Sequence, residues 1–114
     1  MDNNYYSSNN IYPFEETSSS SISATLAERV KQRRLEKGLS RKALSDLSGV
    51  PTATIAKFEQ QHLISMRQFV SLVIALGYAG ELNQLMAEPH YQTLSELETI
   101  KANKNRQRGR TKTN

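Results

Sequence analysis

Leu39 to Glu59 reads LSRKALSDLSGVPTATIAKFE, a pattern of two short helices joined by a tight turn. Leu39, Ala43, Leu44 and Leu47 recur at helical spacing, which predicts one apolar face on the first helix. Ser40 stands where a hydroxyl caps the free N–H groups of a helix start. Gly49 follows the apolar run, where a chain commonly leaves a helix through a left-handed residue. Val50 then plugs the corner. Pro51 suits the first turn of a second helix, where its missing N–H costs nothing. Ile55 and Phe58 face inward on that helix. Thr52, Ala53, Ala56, Lys57 and Gln60 fall on its other side, which is small, polar and free of carboxylates. Such a face fits closely against an acidic groove, and a helix, a glycine turn and a second helix of this kind form a plan for reading DNA.

The segment resembles the phage-repressor type of helix-turn-helix regulator, the Cro/C1 or XRE family. Arg34, Gly38-Leu39-Ser40, Leu44, Gly49-Val50, Ile55 and Glu59 carry the resemblance, in order and spacing, over roughly Leu26 to Gly77. It implies an all-α, five-helix repressor-like domain with disordered N- and C-terminal tails. It implies base contacts from Thr52, Ala53 and Lys57, and backbone contacts from Ser40, Arg41, Gln60 and Arg67. It also implies a structural ion pair between Arg34 and Glu59 across the core. Two positions depart from the pattern. Many members have Gln at the place of Arg41, and Ser or Thr at the place of Pro51. Arg41 retains a donor for a phosphate, whereas Pro51 offers no hydroxyl cap.

The whole chain of 114 residues is long enough for one domain, and 37% hydrophobic residues suffice for one small core. No cysteine is present, which excludes disulfides and thiolate metal sites. The longest mostly apolar run, Phe69 to Leu76, is too short to span a bilayer, and residues 1–22 lack the basic and apolar blocks of a signal peptide. A cytoplasmic location without membrane association is expected. Charge is unevenly laid out within a net +4. Residues 23–64 hold eight bases against four acids, and residues 101–114 hold six bases and no acid. Two basic segments on one chain favour a polyanionic partner, although charge runs are often only solvated surface.

Three regions are expected: a disordered polar segment over 1–22, a helix-turn-helix domain over 23–88, and a C-terminal extension with a basic tail over 89–114. Within the first, Ile11, Tyr12 and Phe14 are apolar exceptions suited to a short strand or a partner contact. The first helix should run from about Leu26 to Lys37, with Thr25 and Glu28 at capping-box spacing, Gly38 as its stop, and Leu26, Val30 and Leu35 as apolar surface. Gln60 to Ile64 reads as a loop. A fourth helix starts at Ser65, with Gln68 three residues on, and buries Phe69, Leu72, Val73 and Leu76. Val70 and Ile74 lie on another side of it. With Leu82 and Leu85 of a short fifth helix, Glu81 to Met86, they are candidates for a dimer interface. Ser95 to Ala102 reads as one or two further turns with Leu97 and Ile100 inward.

Catalytic chemistry has little material. His62 and His90 stand apart from any acid or nucleophile at a telling spacing, the carboxylates are scattered, and no glycine-rich phosphate loop appears. A non-enzymatic protein without cofactor or metal is expected. The leading function is a transcriptional repressor binding a double-stranded, palindromic DNA operator as a homodimer. Leu76-Gly77, Leu82 to Met86, Glu88-Pro89 and SELETIKANKNRQRGR are also similar to HipB-type antitoxins. That likeness implies autoregulation of an operon together with binding and neutralisation of a HipA-like Ser/Thr kinase toxin. A third possibility is a protein-interaction adaptor that keeps the fold without binding DNA.

Overall fold

The computed structural model describes residues 17–109, and Ile11, Tyr12 and Phe14 lie outside them. The described residues form six α-helices and no strand. These are α1 (Ser19–Glu36), α2 (Arg41–Ser48), α3 (Thr52–Gln61), α4 (Met66–Leu76), α5 (Ala79–Gln84) and α6 (Leu94–Ala102). The chain divides into two compact units after Leu82. The fold is therefore all-α, as the sequence predicts.

The core of the first unit is built from Ala27 and Val30 of α1, Leu44 of α2, Val50 in the turn, Ile55 and Phe58 of α3, and Leu72 and Leu76 of α4. Leu39, Ile64, Phe69, Ala75 and Tyr78 pack around them. Phe58 and Phe69 meet edge to face, with centroids 5.8 Å apart and planes at 76°, an arrangement aromatic quadrupoles favour. α1 packs against α3 and α4, and α2 packs against the same two helices.

The helix ends follow local chemistry. Ser18, Ser40, Ser65 and Thr93 each accept a backbone N–H three residues on, which satisfies one orphan donor of α1, α2, α4 and α6. Gly38 ends α1 at φ +69°. Its N–H bonds the Leu35 carbonyl, and the Leu39 N–H bonds the Arg34 carbonyl, the paired pattern of a Schellman stop. α3 ends differently: His62 takes a left-handed conformation at φ 66°, unusual for a residue with a side chain.

Several expectations are corrected. α1 begins at Ser19, not near Leu26, so Ser19 to Ile22 are helical. Ser18 supplies the cap, and Thr25 lies inside the helix with its hydroxyl donating to the Ser21 carbonyl. Leu35 and Leu47 are exposed, Leu47 by 62%, so the last turns of α1 and α2 are left uncovered on those sides among the described residues. Pro51 precedes α3 as its N-cap, and Gln60 and Gln61 belong to that helix. The fifth helix ends at Gln84, leaving Leu85 and Met86 exposed beyond it. α6 starts one residue early, at Leu94, because Thr93 and Glu96 form an unforeseen Thr-x-x-Glu cap.

Three helices of the first unit converge on the carboxylate of Glu59. Arg34 of α1 donates from Nε to Oε2 at 2.8 Å and from Nη2 to Oε1 at 3.0 Å. Arg41 of α2 donates from Nε to Oε1 at 3.0 Å. The remaining terminal nitrogen of Arg34, Nη1, donates to the Leu39 carbonyl at 2.9 Å. The Glu59 side chain is 1% exposed and that of Arg34 is 7% exposed. Burial pushes the Glu59 carboxyl up, but hydrogen bonds from Arg34 and Arg41 and their positive charge outweigh it and hold the group below the usual glutamate range.

The unfolded chain therefore takes up a proton at Glu59 more readily than the folded one. The stabilisation is complete above the ordinary glutamate range and drains away as pH falls through the lowered value. Arg34→Ala should cost about 3–5 kcal/mol, because it leaves a buried charge short of a partner. The double variant Arg34→Met/Glu59→Leu should cost less than Arg34→Ala. Denaturant melts read both. A melt series in acid should show a shallower loss of stability for the double variant than for the parent chain.

Candidate nucleic-acid interface

α3 divides cleanly by burial. Ile55 and Phe58 are buried, and the Glu59 carboxylate is buried with its arginines. Ala53, Lys57 and Gln60 are exposed, while Thr52 and Ala56 are half-buried. Positions 53, 56, 57 and 60 share one helical face, so the outward surface is an alanine-floored strip flanked by one lysine and one glutamine. The Lys57 ammonium has no acidic partner among the described residues. α3 also starts without a side-chain cap, because Pro51 has no hydroxyl. Its carbonyl accepts from Thr54 and Ile55, closing the first turn.

The turn before α3 presents this face. Gly49 takes φ +78° and its N–H closes on the Ser45 carbonyl at 2.8 Å. A side chain at that φ is strained even though a Cβ would meet no atom within 4 Å, so backbone conformation decides the residue. Val50 is buried under the corner, and its N–H is taken by the Ser48 hydroxyl at 3.1 Å. α2, the turn and α3 thus form one piece, with α2 behind α3.

The other singled-out residues fall into three settings. Ser40 accepts from the Ala43 N–H at 3.0 Å as the cap of α2, and is itself exposed. Gln60 and Arg67 are exposed, and the Arg67 guanidinium has no acidic partner among the described residues. Arg41, expected to point outward to a phosphate, is 34% exposed and is also bound to Glu59. The spacing offers no sign of that contact, which joins residues 18 apart. On α4, Val70 is half-buried and Ile74 is 56% exposed; Leu82 is half-buried and Leu85 exposed. The spare side of α4 therefore faces solvent within its own unit.

The described residues contain no group of three or more His, Cys, Asp and Glu placed to hold a metal ion. None of their helices is long and apolar enough to cross a membrane. Surface ion pairs Arg33–Glu36 and Lys42–Asp46 lie within single helices and contribute little to stability.

Comparison with known families matches residues 30–81 to a model described as helix-turn-helix. No curated protein and no solved structure gives a significant match. The matched stretch starts at the first large core residue of α1 and closes within α5, so it contains the whole α2–turn–α3 piece and the Glu59 cluster. Residues 30–81 are a helix-turn-helix domain of the Cro/C1 (XRE) family, the DNA-binding part of a regulator.

Proposed function

We propose that the chain is a repressor that binds a palindromic operator as a homodimer, with α3 in the major groove. The observation that carries this reading is the outward strip of α3, which is free of carboxylates and backed by a rigid corner. Thr52 and Ala53 offer methyl groups to a thymine C5-methyl, the Thr52 hydroxyl bonds several bases, and Lys57 donates to guanine O6 or N7. Ser40, Arg41, Gln60 and Arg67 take sugar-phosphate contacts that set register more than sequence choice. In this reading residues 23–88 carry DNA binding, and residues 89–114 extend it.

Selection from a random pool gives the cognate site against which variants are compared. Thr52→Ala and Lys57→Ala should each weaken that site by about 1–3 kcal/mol and change random DNA less. Equal loss on both DNAs for both variants would remove these residues from base reading.

A single helix-turn-helix unit covers too little groove for strong specificity, so two copies on half-sites about one turn apart are expected. The exposed Ile74, with Val70 beside it on the helix, suits a two-fold contact. Sedimentation of the parent chain at micromolar concentration should show a dimer. Ile74→Glu should shift it to monomer and weaken operator binding; a parent chain that stays monomeric with and without operator would refute the homodimer.

A second reading, the HipB-like antitoxin with a HipA-like kinase as partner, is favoured by residues 83–109. α6 has no buried residue, and Leu85, Met86, Tyr91 and Leu94 are exposed. Apolar side chains of this kind gain from a covering protein. Truncation after Ile100 separates the uses of the basic end. Unchanged operator binding with lost partner binding supports the toxin reading. Weaker binding to all DNA with a shallower salt dependence supports a DNA-bound tail.

A further inference from the structure

We infer that Glu59 is also a positioning residue for DNA. It grips Arg41 by Nε and so presets the two terminal nitrogens of that guanidinium as a fork for one phosphodiester of the DNA backbone. This rests on the DNA-binding reading above and assigns a mechanism within it.

The two arginines around Glu59 are used differently. Arg34 engages all three nitrogens inside the domain, two on Glu59 and one on the Leu39 carbonyl. Its side chain is also only 7% exposed, so it is not presented to a ligand. Arg41 engages Nε alone. Its Nη1 and Nη2 have no partner among the described residues, and neither is among the buried atoms lacking one, so both reach solvent. One carboxylate faces two guanidiniums, which leaves one positive charge of the cluster uncompensated. A guanidinium held at Nε presents a planar pair of N–H groups, the shape that takes two phosphate oxygens at once.

The grip also removes a cost. A free surface arginine loses much rotamer freedom when it docks, whereas Arg41 has lost that freedom already on folding. The grip has a geometric result as well. Arg41 opens α2 and Glu59 sits on α3, so the phosphate contact is tied to the angle of the reading helix. Lysine is a poorer substitute, because its three donors sit on one nitrogen and offer no planar fork beyond the group that pairs with Glu59.

The test uses the full chain and a pool of random-sequence DNA duplexes, titrated from low salt upward. Arg41→Lys, Arg41→Gln and Arg41→Ala all leave the Arg34–Glu59 pair in place, and thermal melts confirm the fold. Arg41→Lys should lose about tenfold in affinity, close to Arg41→Gln, and flatten the plot of log affinity against log salt by about one unit per subunit. Arg41→Lys that matches the parent chain in affinity and slope overturns the inference, since any mobile cation would then do. A cycle with Glu59→Gln, run where circular dichroism shows it folded, adds a second readout. Arg41→Ala should cost about tenfold in the parent chain but about twofold or less in the Glu59→Gln background. Equal losses in the two backgrounds overturn the positioning role. Should Glu59→Gln fail to fold, the lysine variant decides alone. A parent chain with no affinity for the duplexes at low salt overturns the DNA reading itself, and the fork with it.

Discussion

One carboxylate organises the helix-turn-helix domain. Glu59 receives three N–H bonds from two guanidiniums, one reaching from α1 and one from α2, while it stands on α3. Hydrophobic burial draws the helices together but is nearly indifferent to small rotations about their axes. Charged hydrogen bonds are not, since they weaken steeply away from their preferred distance and angle. The angle between α3 and the two helices that support it is therefore fixed by polar geometry laid over an apolar core. Arg34 adds a second restraint by binding the Leu39 carbonyl, with its own carbonyl taking the Leu39 N–H. The corner between α1 and α2 is thus held at both faces of one residue.

This arrangement sets two demands against each other at the same place. Buried ion pairs are poor contributors to stability compared with well-packed apolar groups. Their merit lies in direction, which non-directional apolar burial does not supply. The apolar partners do the reverse. Leu44, Ile55 and Leu72 are fully buried and supply cohesion without orienting the outward strip.

Much of this is readable from residue order, and the failures have physical causes. Gly38, Gly49 and Gly77 are legible as helix stops because a left-handed residue leaves a chemical mark. The core of α4 is legible because Phe69, Leu72, Val73 and Leu76 repeat at the helical period. Leu47 misleads because periodicity fixes a direction around an axis and says nothing about whether a neighbour stands there. The early turns of α1 are hidden by Ser18 to Ser21, a run that looks like low complexity. Folded, Ser18 caps the helix and the Ser21 carbonyl receives the Thr25 hydroxyl. The link from Arg41 to Glu59 is invisible in the sequence because it joins two elements at a distance no local pattern encodes. The outward face of α3 is legible, whereas the grip on one of its neighbouring cations is not.

The way α3 ends has an evolutionary side. Where α2 and α4 reverse through glycine, α3 reverses through His62, whose side chain makes the left-handed backbone costlier by roughly 1–2 kcal/mol. The domain thus leaves available stability unused at one position on its surface. Proteins drift near the lowest stability that selection accepts, and destabilising changes in a reading surface are tolerated only while a margin remains. A lineage that relaxed the end of α3 would gain room to vary the strip that faces outward. The His62 stop lies at the end of α3 opposite Thr52 and Ala53, so stability could be recovered there without touching the outward strip.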